Sequence, residues 1–215
     1  EALAFGGWRA FRSASEHVLL YYEGELRWER SGISGPIALA SQLLIAGEGG
    51  EVSAYRLESG ERRWTRSLPA AVVDMQLLGN SLAILAGNEI SWLSVAGGRI
   101  NGRQSLLGEG VELLGDSQRV YALTGEGIEA VSLAREFVWS EELPGGKRIT
   151  LGGEPQRLIL EAGEALLAFD PDSGQLLWER EVDALPEYRP IVAEESLLVT
   201  YASGRDDHRS LGTGA

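Results

Sequence analysis

Cysteine is absent from the chain, histidine occurs twice and methionine once in 215 residues. Without a thiol there is no disulfide framework, no thiolate nucleophile and no Cys-ligated metal. The absence suits the cytosol and an oxidising compartment equally. No run of about 18 or more apolar residues occurs, the length a membrane-crossing helix needs. Positive charge is also scarce. Lys and Arg total 19 against 32 Asp and Glu, giving a net charge of -13 and a pI near 4.7, which disfavours a nucleic-acid backbone or an anionic membrane surface as the main partner. The chain begins at Glu1 rather than Met, so a processed product is expected, with any signal peptide already removed. No segment reads as a convincing amphipathic helix.

What the sequence does contain is a repeat. Residues 168–180 read AFDPDSGQLLWER and residues 54–66 read AYRLESGERRWTR, with Ala, Ser-Gly and Trp at the same offsets. GELRWER adds Gly24 four residues before Trp28, as Gly60 precedes Trp64 and Gly174 precedes Trp178. Two copies are degenerate: GGRINGRQSL puts Gly102 in the Trp place, and AREFVWSEEL keeps Trp139 without a turn glycine. The marks at 28, 64, 102, 139 and 178 are spaced by 36, 38, 37 and 39 residues. Each period holds short apolar or alternating runs separated by Gly- and Ser-rich turns, room for four strands. Pro36, Pro69, Pro144 and Pro190 fall in turns or unit starts, where they cost no ladder hydrogen bond.

Four-stranded units at about 40 residues predict an all-β fold, a β-propeller of antiparallel blades. A solenoid is the weaker alternative. Trp28, Trp64, Trp139 and Trp178 are then expected to pack between blades, and Gly24, Gly60 and Gly174 to supply positive φ in the preceding turns. About five blades are detectable. Residues 17–30 read as two outer strands and RPIVAEESLLVTY as two inner ones, so the two ends are expected to complete one composite blade. A closed five-bladed ring and a fragment of a seven- or eight-bladed one both fit. The propeller is assigned to residues 1–204 and a polar tail to 205–215.

The pattern Ala-x-Asp-x-x-Thr/Ser-Gly-x-x-x-Trp resembles the repeat of pyrroloquinoline quinone (PQQ) type propellers. Ala168, Asp170, Ser173, Gly174 and Trp178 match it fully; Ala54, Ser59, Gly60 and Trp64 match it with Arg56 in the Asp place. The resemblance extends over nearly the whole chain and speaks for architecture more than activity. It implies one of two functions. Quinoprotein dehydrogenases hold the quinone and calcium at the centre of a much longer ring, and many carry a vicinal cysteine pair that this chain lacks. The BamB-like scaffolds of the outer-membrane β-barrel assembly machinery perform no chemistry. The second is the nearer match, although its lipidated N-terminal cysteine is absent here. The resemblance therefore implies a non-enzymatic protein-binding scaffold in a membrane-associated complex, without cofactor and without membrane insertion. It implies a periplasmic or other extracytoplasmic setting, the cytoplasm remaining open. A PQQ-dependent or other small-molecule-binding oxidoreductase using the central channel is the alternative.

Motifs with possible chemistry have blander readings. DPDSG at 170–174 alternates Asp170 and Asp172 before a glycine but lacks the later ligands of a calcium loop. GEGGE at 47–51 and GEGIE at 125–129 lie between strands, and their glutamates would repel a phosphate. His17 and His208 sit in no catalytic or zinc pattern, and Asp206, Asp207 and His208 read as part of a solvated tail. No catalytic, cofactor or metal residue is assigned. Trp8 and Trp92 fall outside the docking position, so if exposed they are candidate interface anchors. Tyr188 and Arg189, in the linker ALPEYRP, share that status.

Overall fold

The computed structural model of the protein describes residues 1–182, 186–201, 203 and 205–213. Every regular element among them is a strand. Two compact units divide the chain, Glu1–Leu106 and Leu107–Ala215. In the first, blade 1 comprises β1 (Ala2–Phe5), β2 (Trp8–Arg12), β3 (His17–Tyr22) and β4 (Glu25–Ser31). Blade 2 comprises β5 (Ile37–Leu39), β6 (Leu43–Glu48), β7 (Glu51–Arg56) and β8 (Arg62–Ser67). Blade 3 comprises β9 (Val72–Leu78), β10 (Ser81–Ala86), β11 (Glu89–Ser94) and β12 (Ile100–Ser105).

The second unit repeats the scheme. Blade 4 holds β13 (Gly110–Gly115), β14 (Arg119–Thr124), β15 (Gly127–Ser132) and β16 (Phe137–Glu142). Blade 5 holds β17 (Gly146–Gly152), β18 (Arg157–Ala162), β19 (Ala165–Phe169) and β20 (Leu176–Glu181). The last sheet, blade 6, has three strands: β21 (Ile191–Ala193), β22 (Ser196–Thr200) and β23 (Asp206–Ser210). All pair antiparallel in chain order. Middle strands are the most apolar, as in LLIAGE, SLAILA, RVYALT and RLILEA, because both their faces are covered.

Adjacent blades are joined by one recurring contact. The Trp64 Nε1 donates to the Val95 carbonyl at 2.9 Å, and its ring lies on Gly98 so closely that a Cβ there would meet it at 2.5 Å. Trp28 does the same with the Leu57 carbonyl and Gly60, and Trp139 with the Pro171 carbonyl and Gly174. Trp178 donates to the Leu211 carbonyl at 2.7 Å. The turn glycine thus serves two ends: its positive φ closes the turn, and its bare Cα leaves room for an indole from the preceding blade. Arg30 and Arg66, two residues beyond their tryptophans, add bonds to the carbonyls of Gly60 and Gly97. Each buried indole removes enough apolar surface to be worth on the order of 4–5 kcal/mol.

A bulge aims each indole. In all five four-stranded blades the pairing of the third and fourth strands shifts by one residue beside the docking position. The extra residues are Arg27, Arg63, Asn101, Val138 and Leu177, all exposed. Such a bulge turns the following side chain inward and its own outward.

Gly102 explains the degenerate third repeat. Trp64, Trp139 and Trp178 face Ala54, Ala130 and Ala168 across the strand pair, whereas Gly102 faces Trp92. The indole has changed strands. Trp92 is 3% exposed, and among the described residues its Nε1 has no acceptor. It is therefore a core residue, which corrects its assignment as an interface anchor.

Among the described residues the blades number six, one more than the repeat marks reveal. The expected composite blade is not formed among the described residues: residues 17–30 join the sheet of β1 and β2 through the β2–β3 pair, and 191–200 join β23 through β22. The polar tail from 205 is likewise corrected in part, since β23 pairs with β22 over its whole length and Leu211 is buried. Charged side chains on an edge strand hid that pattern. Residues 214 and 215 lie outside the described residues.

Two stability measurements check this account. Gly98→Ala combines a positive φ with a clash on Trp64 and is expected to cost about 2–4 kcal/mol in denaturant unfolding; Gly97→Ala, with open space around it, should change stability by less than about 0.5 kcal/mol. Trp92→Ala should cost about 3–5 kcal/mol, and adding Gly102→Trp should recover part of that loss, because it rebuilds the Ala/Trp pair of the other blades. Additive losses in the double variant would refute the exchange of sides.

Candidate functional site

Three surfaces bear on function. One is a cleft of about 620 Å³ in the first unit. Its rim is formed by turns at one end of blades 2 and 3, with Ser41, Gln42, Arg56, Asn80 and Arg63, and by Trp8 from blade 1. The Trp8 ring lies 4.7 Å from that of Tyr22, tilted by 47°. Half-buried, Trp8 keeps part of its face available. Leu57 and Val95, which line the cleft, are fixed through their carbonyls, which accept from the indoles of Trp28 and Trp64.

The second surface lies on the outer strands of blades 4 and 5. Phe137 and Val138 are 56% and 40% exposed, and Leu176 and Leu177 44% and 39%. They occupy equivalent places, the two residues before the docking Trp, and the two blades are tied through Trp139. Four large apolar side chains presented to water at the same positions on neighbouring blades are unlike scattered surface leucines. Glu136, Glu141, Glu142, Glu179 and Glu181 flank them in sequence.

The third is the segment before blade 6. Tyr188 is 61% exposed and Ile191 equally so. Arg189 is engaged internally: its guanidinium donates to the Ile149 carbonyl and pairs with Glu112. Arg148 donates to the carbonyls of Pro186 and Glu187 and to Glu161 at 2.8 Å. The two arginines therefore clamp the linker to blade 5. Glu161 is 1% exposed, and among the described residues its Oε1 has no partner. Burial pushes its carboxyl above the usual 4.5 despite the opposing pull of Arg148 and Arg189.

Charge is divided unevenly. The first unit carries ten arginines, no lysine and eleven carboxylates; the second carries nine cations and 21 carboxylates. Nearly the whole net charge therefore belongs to the second unit. Neither the spacing of the repeat nor the bulk composition conveys that division.

The motifs with possible chemistry are spent on structure. Asp170 accepts bonds from the Ser173 N–H and hydroxyl and from the Asp172 N–H, which hold its carboxyl below the usual 3.8, the Ser173 N–H foremost. Asp172 pairs with Arg119 at 2.5 Å. Among the described residues no three His, Asp or Glu side chains form a group able to hold a metal ion. His17 and His208 are exposed strand residues, and Asp207 pairs with Arg205 and Arg209. No helix of the described residues is long and apolar enough to cross a membrane.

Among the described residues six meander sheets of three or four antiparallel strands define the class: the protein has a β-propeller fold. Among solved structures it is similar to BamB from Moraxella catarrhalis, with 16% identity over 100% of this chain and 73% of that one, at a TM-score of 0.78. It is equally similar to the computationally designed Ika8 protein, with 11% identity over 97% of this chain and 70% of that one, again at 0.78. No family model and no curated protein matches the sequence.

Glu161 yields a pH dependence. A carboxyl whose pKa is raised by folding holds its proton more tightly in the folded chain, so stability falls as pH rises from 4.5 through the raised value. Glu161→Gln should flatten that limb, so that wild type loses stability relative to the variant between pH 4.5 and neutrality. Urea unfolding at a series of pH values measures it; parallel profiles would contradict the assignment.

Proposed function

We propose that this protein is a non-enzymatic, protein-binding scaffold of the BamB kind, built from PQQ-like repeats and acting in a membrane-associated assembly complex on the extracytoplasmic side. The reading rests on how the blades spend their side chains. Indoles, turn glycines and arginine-to-carbonyl bonds lock each blade to the next, while the bulge beside each dock turns a side chain outward. In blades 4 and 5 those outward residues are Val138 and Leu177, next to Phe137 and Leu176, and they form the contact surface. Large apolar groups held on a rigid frame are suited to binding because little conformational entropy is lost when a partner covers them. Trp8 and Tyr188 extend the contact set; Arg189 positions the linker that carries Tyr188. The similarity to BamB supports a scaffold of this type, and the net charge of -13 argues against a nucleic-acid backbone or an anionic membrane surface as the main partner.

Photo-cross-linking tests it. A cross-linking residue at position 137 or 177, in extracts of cells that express the protein, should capture one protein species. The same residue at Glu195, in the turn leading into β22, should not. With the cross-linking residue kept at 137 or 177, Val138→Glu combined with Leu176→Glu should abolish capture with no change in the unfolding midpoint, since both side chains face water. Calcium- and PQQ-dependent reduction of a redox dye by the purified protein would overturn the proposal in favour of an oxidoreductase.

A further inference from the structure

The cleft in the first unit has a chemistry distinct from the apolar surface of blades 4 and 5. Arg63 is the bulge residue of blade 2, turned outward by the register shift that docks Trp64. It makes no hydrogen bond or ion pair with the described residues. Arg56, at the end of β7, meets only Glu61, at 3.6 Å, in a pair whose side chains are 50% and 73% exposed. An ion pair so hydrated is worth little and exchanges readily. Glu58 lies on the same rim and Glu61 beside Arg56, so Arg63 is the guanidinium left without a carboxylate partner among the described residues. Trp8 supplies a flat apolar wall beside them.

We propose that this cleft binds an acidic, extended segment of the partner protein, a reading that rests on the scaffold function above. Arginine is the cation suited to the task. Its planar fork takes a carboxylate through two parallel bonds and is less strongly hydrated than an ammonium, and every cation of the first unit is an arginine. A volume of about 620 Å³ admits a few residues of extended chain, with a side chain against Trp8 and carboxylates on Arg56 and Arg63. The near-neutral first unit is where an acidic segment meets least repulsion.

Fluorescence anisotropy with a fluorescein-labelled oligoglutamate peptide tests the assignment on the whole chain. Saturable binding that weakens as salt rises is expected. Arg63→Glu should weaken it at least about tenfold, the loss of a charge-assisted bond, and Trp8→Ala should weaken it as well. Arg62→Glu, the same charge change one residue away and off the cleft rim, should leave affinity within about twofold. Equal losses for Arg62→Glu and Arg63→Glu would mean that only net charge is felt and would overturn the site. Preference for oligolysine, or equal competition by oligothymidylate, would overturn the proposed ligand class. If oligoglutamate fails to bind while positions 137 and 177 still capture a protein, the scaffold reading stands and the cleft assignment alone falls.

Discussion

An indole N–H that reaches forward to a turn carbonyl of the next blade, with its ring laid on a glycine, is the contact on which the other features depend. Bond and glycine together join blades 1 to 2, 2 to 3 and 4 to 5, and the bond from Trp178 joins blades 5 and 6, with donor–acceptor distances from 2.7 to 3.0 Å. The carbonyl is an orphan of the turn and the indole N–H would be an orphan of the core, so one bond satisfies two groups whose burial would otherwise be costly. The glycine is required twice, once by φ and once by space. Tryptophan combines the largest apolar area with a donor for the contact.

Bulge and dock are two consequences of one local rearrangement. Two residues of the fourth strand oppose one of the third, so the second turns into the blade interface and the first is expelled into solvent. The expelled residue lies outside the blade interface and is exposed in all five blades. In this chain it is arginine in blades 1 and 2, asparagine in blade 3, and valine and leucine in blades 4 and 5. A single structural device therefore yields a polar and cationic series on one unit and an apolar series on the other. The proposed recognition surfaces are both built on it.

Blade 3 shows that the requirement is for volume and not for a particular position. Trp92 against Gly102 fills the same gap as Ala54 against Trp64, because a large and a small side chain opposed across a strand pair occupy similar space in either order. The exchange has one visible cost, an indole nitrogen without an acceptor among the described residues.

The sequence by itself determined the blade: a period of 36 to 39 residues, turn glycines and one tryptophan per repeat suffice, because hairpin turns and sheet docking impose fixed offsets on the chain. Its spacing also singles out Trp28, Trp64, Trp139 and Trp178, whose indole N–H groups donate to carbonyls of the following blade. Tertiary structure alone decided the side of the strand pair on which Trp92 sits, the sixth sheet and the grouping of Trp8 with Arg56 and Arg63. Those depend on cross-strand register and on contacts between residues 29 or more positions apart, which no local pattern records. Trp8 and Trp92 look alike as letters outside the repeat; one is half-buried at a cleft and the other is sealed in the core, and only burial separates them.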